Sequence, residues 1–444
     1  MTEIAVEPVD AQRQPEIKLP PSPRRAPKFV QGLAFVMLRR RVINRLSKRY
    51  GGAFAIDAPL FGKMVVVTDP ALARQVYAAS PDDLGNVQPN LSRMFGPGSI
   101  FALDGTAHRS RRKLLTPPFH GRAMHRYEAI VEEETEREIA NWRDGEEFPT
   151  LEPMMRITLK VILRAIFGAD GAELAALREK IPAWVTLGSR LVVLPAPKRT
   201  FGPWKRLRQY REEYDAVVET LIEQALADEK LDERTDILSL LLRSRYDDGT
   251  AMTHSEIADE LLTLLAAGHE TTASTLAWAF ERIRRHPEVL DRLAAEADTD
   301  DAEFRQAVIH EVQRNRTVID FASRHVYAPV FALGEWRIPR GLSVSVAIAQ
   351  MHWNEAEFPD PQRFDPERFL GQRAAASGWI PFGGGTRRCV GAAFANMEMH
   401  VVLRTVLRRF RIETTDGPGE KAHNRGVAFV PRNGGRITVH RRGR

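Results

Sequence analysis

From about residue 29 to the end of the chain, apolar residues recur mostly at helical spacing. Short stretches at 53–56, 64–68, 326–331 and 436–440 break that period, alternating apolar with polar side chains, and predict strands. No repeat of fixed period is present. The pattern predicts a mainly α fold with small peripheral β-sheets. Its longest helix is predicted over 254–285, where Thr253 and Glu256 have capping-box spacing and His286-Pro287 supplies the stop. At ~1.5 Å per residue that helix reaches roughly 45 Å, enough to cross the middle of the molecule. Residues 1–28 carry Pro8, Pro15, Pro20, Pro21, Pro23 and Pro27 among charges and read as a flexible or extended arm before one unit, 29–444.

Composition narrows the class. With 444 residues, 43% of them hydrophobic and 27% charged, the chain can bury a large core without disulfide staples. Its apolar runs fall far short of the ~18 residues that a membrane-spanning helix needs. Nothing at the N-terminus resembles a secretory signal, so a cytoplasmic address is expected. The net charge of +6, from 64 basic and 58 acidic residues, permits acidic partners without demanding nucleic acid. Basic clusters at Arg39, Arg40, Arg41 and Arg45, and at Arg441, Arg442 and Arg444, fit a solvated face better than a nucleic-acid site; peripheral membrane contact stays open.

The centre of the long predicted helix reads Ala266, Ala267, Gly268, His269, Glu270, Thr271. Glycine costs ~1 kcal/mol relative to alanine in a helix interior, and threonine there competes for backbone carbonyls. Two readings follow: the small residues admit a neighbouring helix, or they leave room for a flat cofactor, with Glu270 and Thr271 handling protons. Near the C-terminus, Phe382, Gly383, Gly384, Gly385, Thr386, Arg387, Arg388, Cys389, Val390 and Gly391 precede a predicted helix. Cys389 is the only cysteine, which excludes an internal disulfide and any site needing two thiolates. The helix start, neighbouring arginines and converging amides are expected to favour its thiolate, hence a nucleophile or a metal ligand.

The spacing F-x-x-G-x-R-x-C-x-G, met by Phe382, Gly385, Arg387, Cys389 and Gly391, resembles the haem-thiolate loop of the cytochrome P-450 family. The resemblance extends over nearly the whole chain after the arm. Ala267, Gly268, Glu270 and Thr271 match the family's oxygen-binding helix. Glu311 and Arg314, by themselves an ordinary i,i+3 surface pair, match its E-x-x-R helix, and Arg368 the arginine completing that network. His108 and Arg112, in a basic run that otherwise reads as a solvated face, match an H-x-x-x-R helix facing the haem carboxylates; Arg324 and Arg387 are further candidates by position. Two departures are visible: histidine stands at 108 where many members carry tryptophan, and Asn315, Arg316 and Thr317 replace the usual apolar-and-proline continuation.

This resemblance implies a cytochrome P-450 fold with haem b (iron protoporphyrin IX) between the long central helix and the cysteine-loop helix, and Cys389 as the iron ligand. It implies a monooxygenase acting with O2 on an apolar small molecule, Thr271 and Glu270 delivering protons. Segments 82–105, 180–205, 260–271 and 315–322 would line the substrate pocket, with Phe95, Phe101, Trp184 and Phe321. No nucleotide-binding glycine motif is present and a flavin domain does not fit in the chain, so an external electron source is expected; the resemblance implies a ferredoxin-type donor with its reductase, docking at Arg387, Arg388 and nearby basic residues. A monomer is expected. The competing readings are a peroxide-using or rearranging haem-thiolate protein, a haem sensor or carrier, and a cysteine hydrolase, the last needing a base beside Cys389.

Overall fold

The computed structural model describes residues 16–23, 27–58, 62–87, 90–121, 123–168, 172–191, 201–371 and 378–443. Helix α1 (Lys28–Tyr50) leads into β1 (Ala53–Ala58) and β2 (Gly62–Val67), which join β3 (Leu84–Gly85), β4 (Phe321–Val326) and β5 (Ser343–Ala347) in a five-stranded sheet. The order is β1-β2-β5-β4-β3, with only the β2–β5 pair parallel. The helices that build the site are α2 (Gly105–Leu115), α3 (Leu151–Phe167), α4 (Ala172–Leu191), α5 (Gly202–Leu226), α6 (His254–Ile283), α7 (Glu303–Asn315) and α8 (Ala392–Arg409).

Helix α6 starts where its capping box predicts. The Glu256 N–H donates to Thr253 Oγ1 (3.2 Å) and the Thr253 N–H to the Glu256 carboxylate (2.9 Å). It ends two residues short of the predicted stop, at Ile283. The helix packs along α3 and against α8, and Leu265, Leu276, Trp278 and Phe280 join Ile157, Leu163, Val402 and Leu403 in the main core. At Gly268 a Cβ would stand 3.3 Å from the Ile162 side chain, so the missing side chain lets α3 and α6 approach.

Two expectations change. The stretch 326–331 is not one strand: β4 stops at Val326, and a separate hairpin strand runs from Val330 to Leu333. Pro329 has no amide to donate, and the Tyr327 and Ala328 N–H groups turn to the Asp83 carbonyl (2.8 and 3.2 Å). The arm is fixed over its described part, 16–23. Lys18 exchanges backbone hydrogen bonds with Arg337, the Ala55 N–H donates to the Pro21 carbonyl (2.8 Å), and Leu19 packs on the core beside the sheet. Residues 1–15 lie outside the described residues. Among the described residues no helix is long and apolar enough to cross a membrane.

Candidate active site

The Cys389 loop is shaped by its backbone. The Cys389 N–H donates to the Phe382 carbonyl (3.0 Å), and Phe382 packs edge-on against Trp379. Gly385 has φ +66°, and a Cβ there would stand 2.1 Å from the Tyr77 carbonyl oxygen, so the close approach of residues 70–78 admits only glycine. Helix α8 then begins at Ala392 with Gly391 as its N-cap.

Cys389 is exposed, yet protein surrounds it closely enough for burial to dominate its chemistry. Burial pushes the thiol pKa up; the Gly391 amide, Arg112 and Arg388 oppose that shift without cancelling it. The expected local preference for thiolate is therefore not met by the protein alone. One amide converges on the sulfur, and desolvation outweighs the helix start and the arginines. A bound metal cation would supply the missing charge, since coordination deprotonates a thiol outright. Among the described residues the groups acting on this thiol are the Gly391 amide, Arg112 and Arg388, none of them an imidazole.

Cations gather nearby. His108 and Arg112 lie one turn apart on α2, and Arg324 projects from β4 to within 3.5 Å of the Gly384 carbonyl. Burial, and the positive charges of Arg387, Arg112 and Arg324, lower the His108 pKa to about 4, so its imidazole is neutral at pH 7. Neither Arg112 nor Arg324 has a carboxylate partner among the described residues, and burial lowers the pKa of both. The Tyr77 hydroxyl beside Arg324 is buried without a hydrogen-bond partner, its pKa pushed up to about 12. Arg387 is satisfied: it ion-pairs with Asp104 and donates to the Leu103 carbonyl. Its side chain is thus turned inward, and of the two arginines expected to meet a redox partner only Arg388 is exposed.

Helix α6 is buried over most of its length, but Ala267 is exposed, with Leu264, Gly268 and Thr271 half-buried beside it. These positions are spaced i, i+3, i+4 and i+7, one continuous face. The Thr271 hydroxyl donates to the Ala267 carbonyl (2.7 Å). Glu270 leaves this face: its carboxylate lies 3.6 Å from Arg425, and burial raises its pKa. An open small-residue face, an enclosed thiol and half-buried cations without an ion pair among the described residues fit a flat dianionic macrocycle with a central metal. Among the described residues no group of three or more His, Cys, Asp or Glu could hold a bare metal ion.

The sequence-matched trio of charges is assembled as well. Glu311 and Arg314 form a doubly hydrogen-bonded pair (2.7 Å each) with both side chains fully buried. Arg368 Nε stands 3.6 Å from the same carboxylate, beyond hydrogen-bond range, while its Nη1 donates to the Pro359 carbonyl. Sequence reasoning missed three partners. Arg111, read as part of a solvated run, is fully buried against Glu260, Glu256 and Tyr246. Arg425 holds Glu270 from the C-terminal hairpin. His352 accepts the Ile380 N–H at Nε2 (3.0 Å), so its Nδ1 carries the proton and donates to Thr317 Oγ1 (2.7 Å). None of the three carries a spacing signal; each is made by distant segments meeting. Of the expected pocket aromatics, Phe95 packs tilted against Phe101 and edge-on against Trp184, whereas Phe321 packs against Phe35 of α1.

The cytochrome P450 family model matches residues 20–438. Cytochrome P450 138 of Mycobacterium tuberculosis is 60% identical over 435 residues, covering 97% of this chain and 98% of its own. Cytochrome P450 135B1 of Mycobacterium bovis is 39% identical over 432 residues, covering 95% and 91%. The solved structure of retinoic acid bound cyanobacterial CYP120A1 has the same fold, with a TM-score of 0.84 at 22% identity over 96% of this chain and 100% of that one. Matched by the family model almost end to end, the chain belongs to the cytochrome P450 family, whose members are haem-dependent monooxygenases.

Proposed function

We propose that this enzyme transfers one atom of O2 to a C–H or C=C bond of an apolar small molecule, with Cys389 as the iron ligand of haem b. The observation that carries this reading is the enclosed but accessible Cys389 thiol, in a molecule whose central helix opens a face at Ala267 and Thr271. Bound there, iron protoporphyrin IX supplies oxygen activation, which an anionic sulfur ligand favours by pushing electron density toward O–O cleavage. Ala267 leaves room for the ring, while the missing Gly268 side chain brings α3 close behind it. Phe382 and Gly391 shape the sulfur side. His108, Arg112 and Arg324 receive the two ring carboxylates; Arg387, already paired with Asp104, closes that edge.

Thr271 holds a hydroxyl proton on the open face. Glu270, with its pKa raised by burial, is poised to take a proton from water beside Arg425 and release it toward Thr271. This retained pair favours O2-dependent turnover over peroxide use or simple haem carriage. The Glu311–Arg314–Arg368 network holds the segment before the thiol loop and does not touch the reaction. Electrons come from an acidic ferredoxin-type donor and its reductase, with Arg388 in the docking face, and the enzyme works as a cytoplasmic monomer.

The test is the carbon monoxide difference spectrum of the dithionite-reduced protein. The wild type is expected to give the band of a thiolate-ligated haem, and Cys389→Ser to abolish it. An unchanged band in that variant refutes the assignment.

A further inference from the structure

A cavity of about 440 Å³ lies on a different face of α6 from Ala267, bounded by α3, α4, α5 and the C-terminal hairpin. That volume falls in the range that holds a small organic ligand. One wall is apolar, with Met155, Pro182, Val185 and Leu187. Three guanidinium groups, Arg190, Arg206 and Arg425, face two carboxylates, Glu152 and Glu270. At the buried end Arg425 is neutralised by Glu270, and its backbone carbonyl is held by Ser189 Oγ (3.2 Å). At the exposed end Arg190 has no ion pair among the described residues. Among the described residues Arg206 bonds only the Tyr210 hydroxyl (3.0 Å), which fixes its guanidinium at the rim.

This asymmetry selects a ligand. A wholly apolar molecule would strip water from two unpaired guanidinium groups and give nothing back. A molecule with an apolar body and one anionic end would cover the wall and supply the missing charge, and a planar carboxylate matches the guanidinium fork. We propose that this cavity binds an amphipathic carboxylic acid, its carboxylate held by Arg190 and Arg206. The inference goes beyond the reading above: it assigns a ligand site on the other side of α6 and does not depend on the haem assignment. The inner wall includes Glu270, the neighbour of Thr271, so an occupant touches the helix from the side opposite its open face.

The experiment is calorimetric titration of haem-loaded protein with dodecanoic acid and with the rigid lithocholic acid, each paired with its methyl ester. At least one acid is expected to bind about tenfold or more tightly than its ester, the worth of charge-assisted hydrogen bonds, and to weaken as salt rises. The double variant Arg190→Gln, Arg206→Gln should bring that acid to the level of its ester and leave the ester unchanged. Both side chains are exposed, so a melting curve matching the wild type is expected and serves as the folding control. Equal binding of acid and ester, no binding of either acid, or an acid preference that survives in the double variant overturns the proposal. The carbon monoxide band recorded on the same samples separates the two failures. A normal band without acid preference removes only the head-group site, whereas a missing band in the wild type removes the haem-thiolate reading and leaves the calorimetric result standing.

Discussion

Two groups of cations serve the Cys389 region, one around the buried Arg314 and one around the half-buried Arg112 and Arg324, and they are finished to different degrees. Around Arg314 all five N–H donors are used: Glu311 takes two, and the carbonyls of His352, Pro361 and Arg363 take the rest. The Glu311 carboxylate also accepts the Asp365 N–H (2.8 Å). Around Arg112 and Arg324 no ion pair forms among the described residues, Asp104 acts on Arg324 only from a distance while pairing with Arg387, and the neighbouring His108 stays neutral. Buried ions that find partners in the chain can act as a structural clamp. Buried ions without them carry a desolvation cost that a ligand must relieve. The first group is closed by the protein; the second is left open for something anionic.

That contrast is open to experiment, and the largest effect lies on the closed side. Glu311→Ala leaves Arg314 buried without a counter-charge, a loss of ~3–5 kcal/mol. Its expected result is a lower melting temperature even without haem, and purified protein that fails to retain haem. A normal haem complement would show that the clamp is dispensable. On the open side the sign should divide. Arg324→Gln removes a half-buried cation that makes no ion pair among the described residues, so the haem-free protein should melt at or above the wild-type temperature, while haem transfer to apomyoglobin speeds up by about tenfold or more. Equal transfer rates would place the ring carboxylates elsewhere.

Thr271→Ala, on the open face of α6, should bind haem and substrate normally yet divert most reducing equivalents to hydrogen peroxide. Tightly coupled turnover, measured as product formed per O2 consumed, would move the proton role to another residue. The smallest effect is a pH slope. His352 is buried with its pKa lowered to about 3, below the ~6.5 of an unfolded histidine. Its contribution to stability is complete above about pH 6.5 and is lost as pH falls toward 3, because the unfolded chain takes up the proton first. His352→Gln should therefore lose less stability than the wild type between pH 6.5 and 4, followed by denaturant unfolding of the haem-free proteins. Parallel slopes would mean that the imidazole titrates normally.

His352 also shows why part of the site could not be read from sequence. Its ring joins Thr317, just beyond α7, to Ile380, at the entry to the thiol loop, across 35 and 28 residues of chain. The clamp thereby reaches the cysteine segment through a residue that belongs to no motif. Asp104 with Arg387 and Arg425 with Glu270 are of the same kind: each is a pairing between segments remote in sequence. By contrast Gly385 was legible because one local demand, a left-handed backbone pressed against Tyr77, excludes every other residue. Gly268 was legible as special but ambiguous, and its missing side chain points at Ile162. The alternation over 326–331 misled because Pro329 interrupts hydrogen bonding without changing the apolar–polar rhythm.

What the sequence determined by itself is what short-range chemistry controls. The capped central helix, the glycine turns before Cys389, the single thiol and the spacing of Glu311 from Arg314 all depend on residues a few positions apart. Tertiary structure alone decided which charges would be answered. It turned Arg387 to Asp104 and Arg111 to Glu260, left Arg112 and Arg324 without an ion pair among the described residues, and raised the thiol pKa where local sequence argued for lowering it. The reason is physical: desolvation and Coulomb energy depend on everything within several ångströms of a group, and folding, not chain order, chooses those neighbours.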